Sequence, residues 1–159
     1  MRNAAIAVSA AAGALLLVAV LTKSWFTEGD SERGFRFGLW GACYGDQCIG
    51  ESYNLEAARD TGDKAWIAAG RVTFVGGILG AGLLGLSALL FGVRTPQRLE
   101  RIALVVAAID VAAGTVFVIL KPSEIAAGMS FGYPLLLIGG MAGMVGSALV
   151  AKSRAAPPR

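Results

Sequence analysis

Long runs of hydrophobic residues alternate with shorter polar segments along this chain. The runs cover about 4–22, 66–91, 102–120 and 131–151. In a helix that rises about 1.5 Å per residue, about 20 residues cross a hydrocarbon core of about 30 Å. The pattern therefore predicts four transmembrane helices in one membrane domain over residues 1–151, with a polar loop at 23–64 and a tail at 152–159.

The first run has a second interpretation. It follows Met1 and Arg2 directly, as the apolar region of a secretory signal peptide does. However, it is long for such a region, and no clean small-x-small cleavage site precedes Lys23. A retained helix is favoured, and a cleaved segment that leaves three spans stays the alternative.

The charged residues predict the orientation of the chain. The polar loop holds eight acidic and five basic residues. Basic residues collect in the other polar segments, at Arg2, Arg94, Arg98, Arg101, Lys152, Arg154 and Arg159. Because cytoplasmic segments of membrane proteins are enriched in Lys and Arg, we expect both termini in the cytoplasm and the loop outside. The membrane is then a plasma membrane or a bacterial inner membrane.

The composition agrees with a membrane protein and narrows the chemistry. Hydrophobic residues make up 55% of the chain, mean hydropathy is +0.64, and there is no histidine. The net charge of +3 reflects topology and does not indicate nucleic-acid binding. Without histidine the commonest general base and zinc ligand are absent, so we predict no catalytic site, no metal site and no cofactor.

The outer loop contains a pattern typical of a β-strand. In Phe35–Trp40 apolar side chains alternate, so that Phe35, Phe37 and Leu39 share one face. A turn at residues 44–47 then separates Cys43 from Cys48. We predict a small hairpin closed by a disulfide, which an oxidising outer compartment maintains. The alternative, a redox-active pair, is disfavoured because the spacing is not Cys-x-x-Cys and no second cysteine pair exists to relay electrons.

These residues resemble the signature of the claudin and peripheral myelin protein superfamily. That signature is a tryptophan after the first span, then Gly-Leu-Trp, then two cysteines in the same loop. Here its positions are Trp25, Gly38, Leu39, Trp40, Cys43 and Cys48. Phe131-Gly132-Tyr133, which opens the fourth span, is a weaker match. The Ala-, Gly- and Arg-rich composition is typical of a GC-rich, bacterial genome.

The resemblance implies a transmembrane four-helix bundle with a small disulfide-stapled β-sheet on the outer side. It also implies a non-enzymatic protein that acts in self-association, adhesion or membrane organisation through its outer loop. Expected partners are the lipid bilayer and a second copy of the chain or another membrane protein. An auxiliary subunit of another membrane protein is the alternative, followed by a small transporter.

Two charged residues fall inside the predicted spans. Arg71 lies near the outer end of the second span, and Asp110 lies near the middle of the third. An ionised group at the centre of the bilayer costs about 2.5–3.5 kcal/mol on insertion scales, so each needs a partner or water. Three interpretations stay open: an Arg71–Asp110 pair that joins two helices, an Arg71 side chain that extends outward to acids or lipid phosphates, and a proton or ion pathway. The pathway is the least favoured, because one acid makes a poor relay.

The tryptophans and small residues predict how the parts pack. We expect Trp25 and Trp66 at headgroup depth, where indoles are favoured. We expect Trp40 to fold back onto the bundle near Trp25, and the alternative is an exposed ring that binds a partner. Small residues repeat every four positions and predict close helix contacts, at Ala5-Ser9-Gly13, Gly76-Gly80 and Gly139-Gly143-Ser147.

Overall fold

A computed structural model describes residues 2–29, 34–49, 64–90, 97–123, 125 and 127–155. Its helices are α1 (Arg2–Leu21), α2 (Lys64–Leu89), α3 (Gln97–Ile119) and α4 (Gly132–Ala155). Its strands are β1 (Phe26–Glu28), β2 (Phe35–Gly38), β3 (Gly41–Tyr44), β4 (Gln47–Ile49) and β5 (Gly128–Met129). All four helices are long and apolar enough to cross a membrane. The predicted fold class is therefore confirmed.

The helices form a closed ring in which each contacts two neighbours. α1 packs on α2 and α4, and α3 packs on the same two helices. Leu16, Leu84 and Leu136 are fully buried between them. Many apolar residues on the outward faces are exposed instead, such as Leu79 and Val145, each 55% exposed. A bundle that is apolar on both its inner and outer faces is suited to a hydrocarbon surrounding.

Small residues allow the close contact between α1 and α4. A Cβ atom at Gly139 would lie 3.0 Å from the backbone nitrogen of Leu16, and one at Gly146 would lie 2.8 Å from Oγ of Ser9. The predicted stripe of small residues in α4 therefore serves packing within the bundle. In lipid, such close approach provides the dispersion contacts that hold helices together.

The strands form one antiparallel sheet at a single end of the bundle. Their order is β4-β3-β2-β1-β5. Four strands follow α1, and β5 follows α3 and pairs with β1. Since α1 and α3 run in the same direction through the ring, both segments emerge at the same end. We call this the sheet end, and the opposite end, where α1 begins and α4 ends, the terminal end.

Candidate interaction site at the sheet end

Trp25 joins the sheet to three helices. Its side chain is fully buried, and its Nε1 donates a hydrogen bond of 2.7 Å to the carbonyl oxygen of Ala19 in α1. Its ring lies edge-on to Phe117 of α3 at 5.6 Å, and 6.3 Å from the ring of Tyr133 in α4. A Cβ atom at Gly132 would lie 2.6 Å from Cδ1 of Trp25. Only glycine at the start of α4 therefore admits the indole.

Trp66 is also buried within the protein, so its indole contacts protein side chains. The headgroup depth of Trp25 and Trp66 stays a prediction. Trp66 is 1% exposed and stacks on Phe117 at 5.1 Å with an interplanar angle of 7°. The ring of Phe26 in β1 lies 5.7 Å from the ring of Phe117. The sheet covers this end of the bundle, so both indoles pack against protein.

The Gly38-Leu39-Trp40 segment packs the turn between β2 and β3 against the bundle. A Cβ atom at Gly38 would lie 2.8 Å from the carbonyl oxygen of Thr22, so only glycine allows this approach. Leu39 is 4% exposed. Trp40 stacks on Phe74 of α2 at 5.0 Å and stays 38% exposed. Trp40 therefore lies on the bundle as expected, but against α2, whereas the ring neighbours of Trp25 are Phe117 and Tyr133.

The predicted disulfide between Cys43 and Cys48 is confirmed. The two cysteines are directly opposed in the β3–β4 hairpin, with an S–S distance of 2.03 Å. Gly45, at the first central position of the turn, has φ +53°. That backbone conformation favours glycine and is typical of a two-residue hairpin turn. The disulfide therefore fixes the position of this turn relative to the strands.

Lys121 organises the second connection at the sheet end, and sequence reasoning did not single it out. It lies two residues after the end of α3, and its Nζ donates hydrogen bonds to the carbonyl oxygens of Ile125 and Ala127. The same ammonium lies 5.8 Å from the centre of the Phe26 ring. A lone lysine just after an apolar span was the only signal in the sequence. Its contacts hold the segment that leads into β5.

Two exposed aromatic residues lie side by side on neighbouring strands of the sheet. Phe35 of β2 and Tyr44 of β3 are directly opposed, with rings 4.7 Å apart. They are 38% and 53% exposed. Phe37, two residues along the same face, stacks on Phe35 at 6.1 Å and is buried. We call Phe35 and Tyr44 the aromatic surface.

The structure does not bring Arg71 and Asp110 together as a hydrogen-bonded pair. Asp110 is fully buried, and within the described part of the chain neither carboxylate oxygen has a hydrogen-bond partner. A Cβ atom at Gly76 would lie 3.1 Å from Oδ1 of Asp110, and one at Gly77 3.2 Å from Oδ2. Arg71 is exposed on α2. This position fits the interpretation in which its side chain extends outward.

The sheet end combines buried aromatic packing, a disulfide and exposed aromatic side chains. Among the described residues, no group of three or more His, Cys, Asp or Glu side chains could hold a metal ion. The buried ring cluster and the disulfide make the sheet rigid, and its exposed aromatic side chains offer apolar contact area. Fold and site together define a four-span membrane protein whose two connections at one end form a single antiparallel sheet.

The family is shown by comparison with known proteins. The model of the PMP-22/EMP/MP20/Claudin family matches residues 3–153. The chain belongs to this family, so the resemblance inferred from the tryptophan, Gly-Leu-Trp and cysteine signature is confirmed. Members are generally non-enzymatic, structural membrane proteins. A comparison with curated proteins finds no match to the chain.

Proposed function

We propose that this protein organises the membrane by binding a second copy of itself through the aromatic surface. The observation that carries this proposal is the exposure of Phe35 and Tyr44, at 38% and 53%. Both lie on strands of the sheet and not on the four helices that are long and apolar enough to cross a membrane. Exposed aromatic side chains on a rigid surface are typical of protein interaction sites.

The surroundings of the aromatic surface match the composition of an interface. Tyr44 opposes Gln47 on one side and Phe35 on the other, and Glu28 opposes Phe35. Gln47 and Glu28 are exposed, so polar residues flank the rings in the same row. An apolar centre with a polar rim is the usual arrangement at interfaces. Because Phe35 stacks on the buried Phe37, little conformational entropy is lost on binding.

A second copy of the chain is the occupant that this surface favours. In a two-fold dimer the same patch lies on both sides of the interface, so apolar rings meet apolar rings. Family membership supports self-association as well. The auxiliary-subunit alternative would use the same rings against a different membrane protein. The transporter alternative rests on Asp110, a fully buried acid within α3.

Energy transfer between differently labelled copies in liposomes tests the proposal. Tyr44→Ser should weaken association by about 2 kcal/mol, or about 30-fold, the effect of losing an aromatic hot spot. Lys152→Ser is the control, because this exposed residue lies at the terminal end, away from the sheet. Equal association of both variants and the original chain would contradict the proposal.

We further propose that the sheet end faces outward and that both termini are cytoplasmic. The support is the excess of basic residues in the terminal segments and in the link between the second and third spans. Ser123 and Lys152 are exposed at opposite ends of the bundle. In intact cells, a membrane-impermeant maleimide should label Ser123→Cys and should label Lys152→Cys only after lysis. The reverse result would invert the orientation.

A further inference from the structure

A groove lies on the sheet where it meets the ends of two helices. Its volume is about 340 Å³, and its lining includes Ser24, Thr27, Glu28, Arg36, Ser130 and Phe131. Ser24 comes three residues after the end of α1, and Ser130 comes two residues before the start of α4. A hydrogen bond from the backbone nitrogen of Gly132 to the carbonyl oxygen of Ser24 joins these two segments. The groove therefore opens where the apolar part of the bundle stops.

The polar lining of the groove is suited to a phosphate group. Arg36 and Thr27 are directly opposed on β2 and β1. The Nη2 of Arg36 donates a hydrogen bond of 2.7 Å to the carbonyl oxygen of Gly45, which orients the guanidinium. Its Nε is buried and has no hydrogen-bond partner within the described residues. Arg36 lines the groove together with Ser24, Thr27 and Ser130, and a guanidinium and hydroxyl groups provide the donors that phosphate oxygens require.

Two further residues give the groove an amphipathic character. Glu28 lies at its rim and is exposed, so its carboxylate can accept hydrogen bonds from a cation. Phe131 is 51% exposed and directly precedes α4, at the edge of the apolar bundle. Its apolar ring offers a contact for the first carbons of an acyl chain. One molecule with a phosphate, a nearby ammonium and an apolar tail would satisfy all three features.

We propose that this groove binds the headgroup of a membrane phospholipid that carries a primary ammonium. The phosphate lies against Arg36 and the three hydroxyls, the ammonium against Glu28, and the start of the acyl chains against Phe131. We favour a lipid over a free phosphate because the groove lies next to the end of α1 and the start of α4, where lipid headgroups surround a membrane bundle. An ammonium with three N–H donors fits a carboxylate better than a trimethylated amine does.

To test this proposal, the purified protein is equilibrated in mild detergent with three phospholipids in equal amounts. These are phosphatidylethanolamine, phosphatidylcholine and phosphatidylglycerol. Native mass spectrometry should show the ethanolamine lipid retained over the glycerol lipid. Arg36→Gln should lower retention of all three lipids by about tenfold, the effect of losing a hydrogen bond to a charged group. Glu28→Gln should remove the preference for the ethanolamine lipid and keep binding of the others.

Matched controls keep the result decisive. Asp46 is an exposed acid on the neighbouring hairpin turn, and Arg101 is an exposed base at the terminal end, so Asp46→Asn and Arg101→Gln should bind lipid normally. If Arg36→Gln lowers the melting temperature, Ser130→Ala replaces it as the phosphate variant. Undiminished binding of the three lipids by both Arg36→Gln and Ser130→Ala would overturn the proposal, and so would an unchanged preference for the ethanolamine lipid in Glu28→Gln. Complete displacement of the lipid by millimolar inorganic phosphate would overturn it too, because the site would then bind a free anion.

Discussion

At the scale of single residues, Asp110 is the most unusual, because an acidic side chain is rarely buried inside a bundle that lies in lipid. It is fully buried against Gly76 and Gly77, and its oxygens have no hydrogen-bond partner in the described part of the chain. Asp110→Asn keeps the side-chain volume and removes the ionisable group. The free energy of unfolding in detergent should stay the same or rise, by up to about 2–3 kcal/mol.

The same variant separates the two interpretations of Arg71. Because the structure does not join the two side chains by a hydrogen bond, Asp110→Asn and Arg71→Gln should have additive effects, within about 0.5 kcal/mol. The paired arrangement instead requires that each single change is costly and that the double change costs less than the sum. A coupling energy above about 1 kcal/mol would show that the two side chains meet in the membrane.

Gly132 tests the contact between Trp25 and α4. A Cβ atom at this position would lie 2.6–2.9 Å from three atoms of the indole, so Gly132→Ala should lower stability by about 1–3 kcal/mol through overpacking. Gly82 of α2 is the matched control, since a Cβ atom there would have no heavy atom within 4 Å. Gly82→Ala should leave thermal stability unchanged or raised, because alanine favours helix. Equal melting temperatures for the two variants would contradict this account of the contact.

At the scale of secondary-structure elements, the sequence predicted what depends on local pattern. The spans follow from hydropathy, and the hairpin follows from alternation, a turn and two cysteines. The exact starts of the helices do not follow, because the backbone hydrogen bonds of α3 extend to Gln97, beyond the apolar residues that begin at Ile102. β5 consists of Gly128 and Met129 and exists through its pairing with β1. No local pattern in two residues can indicate such a long-range contact.

Trp40 connects the β2–β3 turn to α2. Because its ring is partly exposed, its removal should lower stability less than the removal of a fully buried ring. Trp40→Ala should lower the stability of the monomer by about 1–2 kcal/mol, since the ring stacks on Phe74 but stays 38% exposed. Trp25→Ala, which removes a fully buried ring, should cost about 3–5 kcal/mol. Thermal unfolding of both purified variants measures the difference. A larger loss for Trp40 than for Trp25 would show that the turn is the main connection.

Lys121 provides the corresponding test for the second connection. Lys121→Met keeps most of the apolar stem and removes the donors to the carbonyl oxygens of Ile125 and Ala127. We expect faster amide hydrogen exchange in the segment that leads into β5, and a loss of about 1–3 kcal/mol from carbonyls that lose a charged donor. Lys152→Met, at an exposed position in α4, should leave this exchange unchanged. Unaltered exchange in both variants would show that β1 pairing alone holds the segment.

At the scale of the whole molecule, the arrangement explains why indoles expected at the lipid interface are buried. Strands from two separate connections form one sheet over the end of the bundle, and Phe117 of α3 packs against Trp25, Trp66 and Phe26 beneath it. Sequence position alone places Trp25 and Trp66 at the ends of spans, where lipid headgroups are the default neighbours. The covering sheet changes those neighbours, and it is visible only once the chain is folded.

The whole molecule presents two different surfaces. The helices expose apolar side chains suited to lipid, and the sheet exposes the aromatic surface above them. This division supports a role in which the bundle fixes the protein in the bilayer and the sheet binds a partner. The central claim is that this partner is a second copy of the chain.

Photocrosslinking in the native membrane tests that claim most directly. A photoreactive amino acid at Tyr44, in the aromatic surface, should yield a product of about twice the 16.3 kDa mass of the chain. The same group at Lys152, exposed at the terminal end, should yield little of that product. A product at Tyr44 that contains a larger, different protein would support the auxiliary-subunit alternative, and no protein product at Tyr44 would contradict the account.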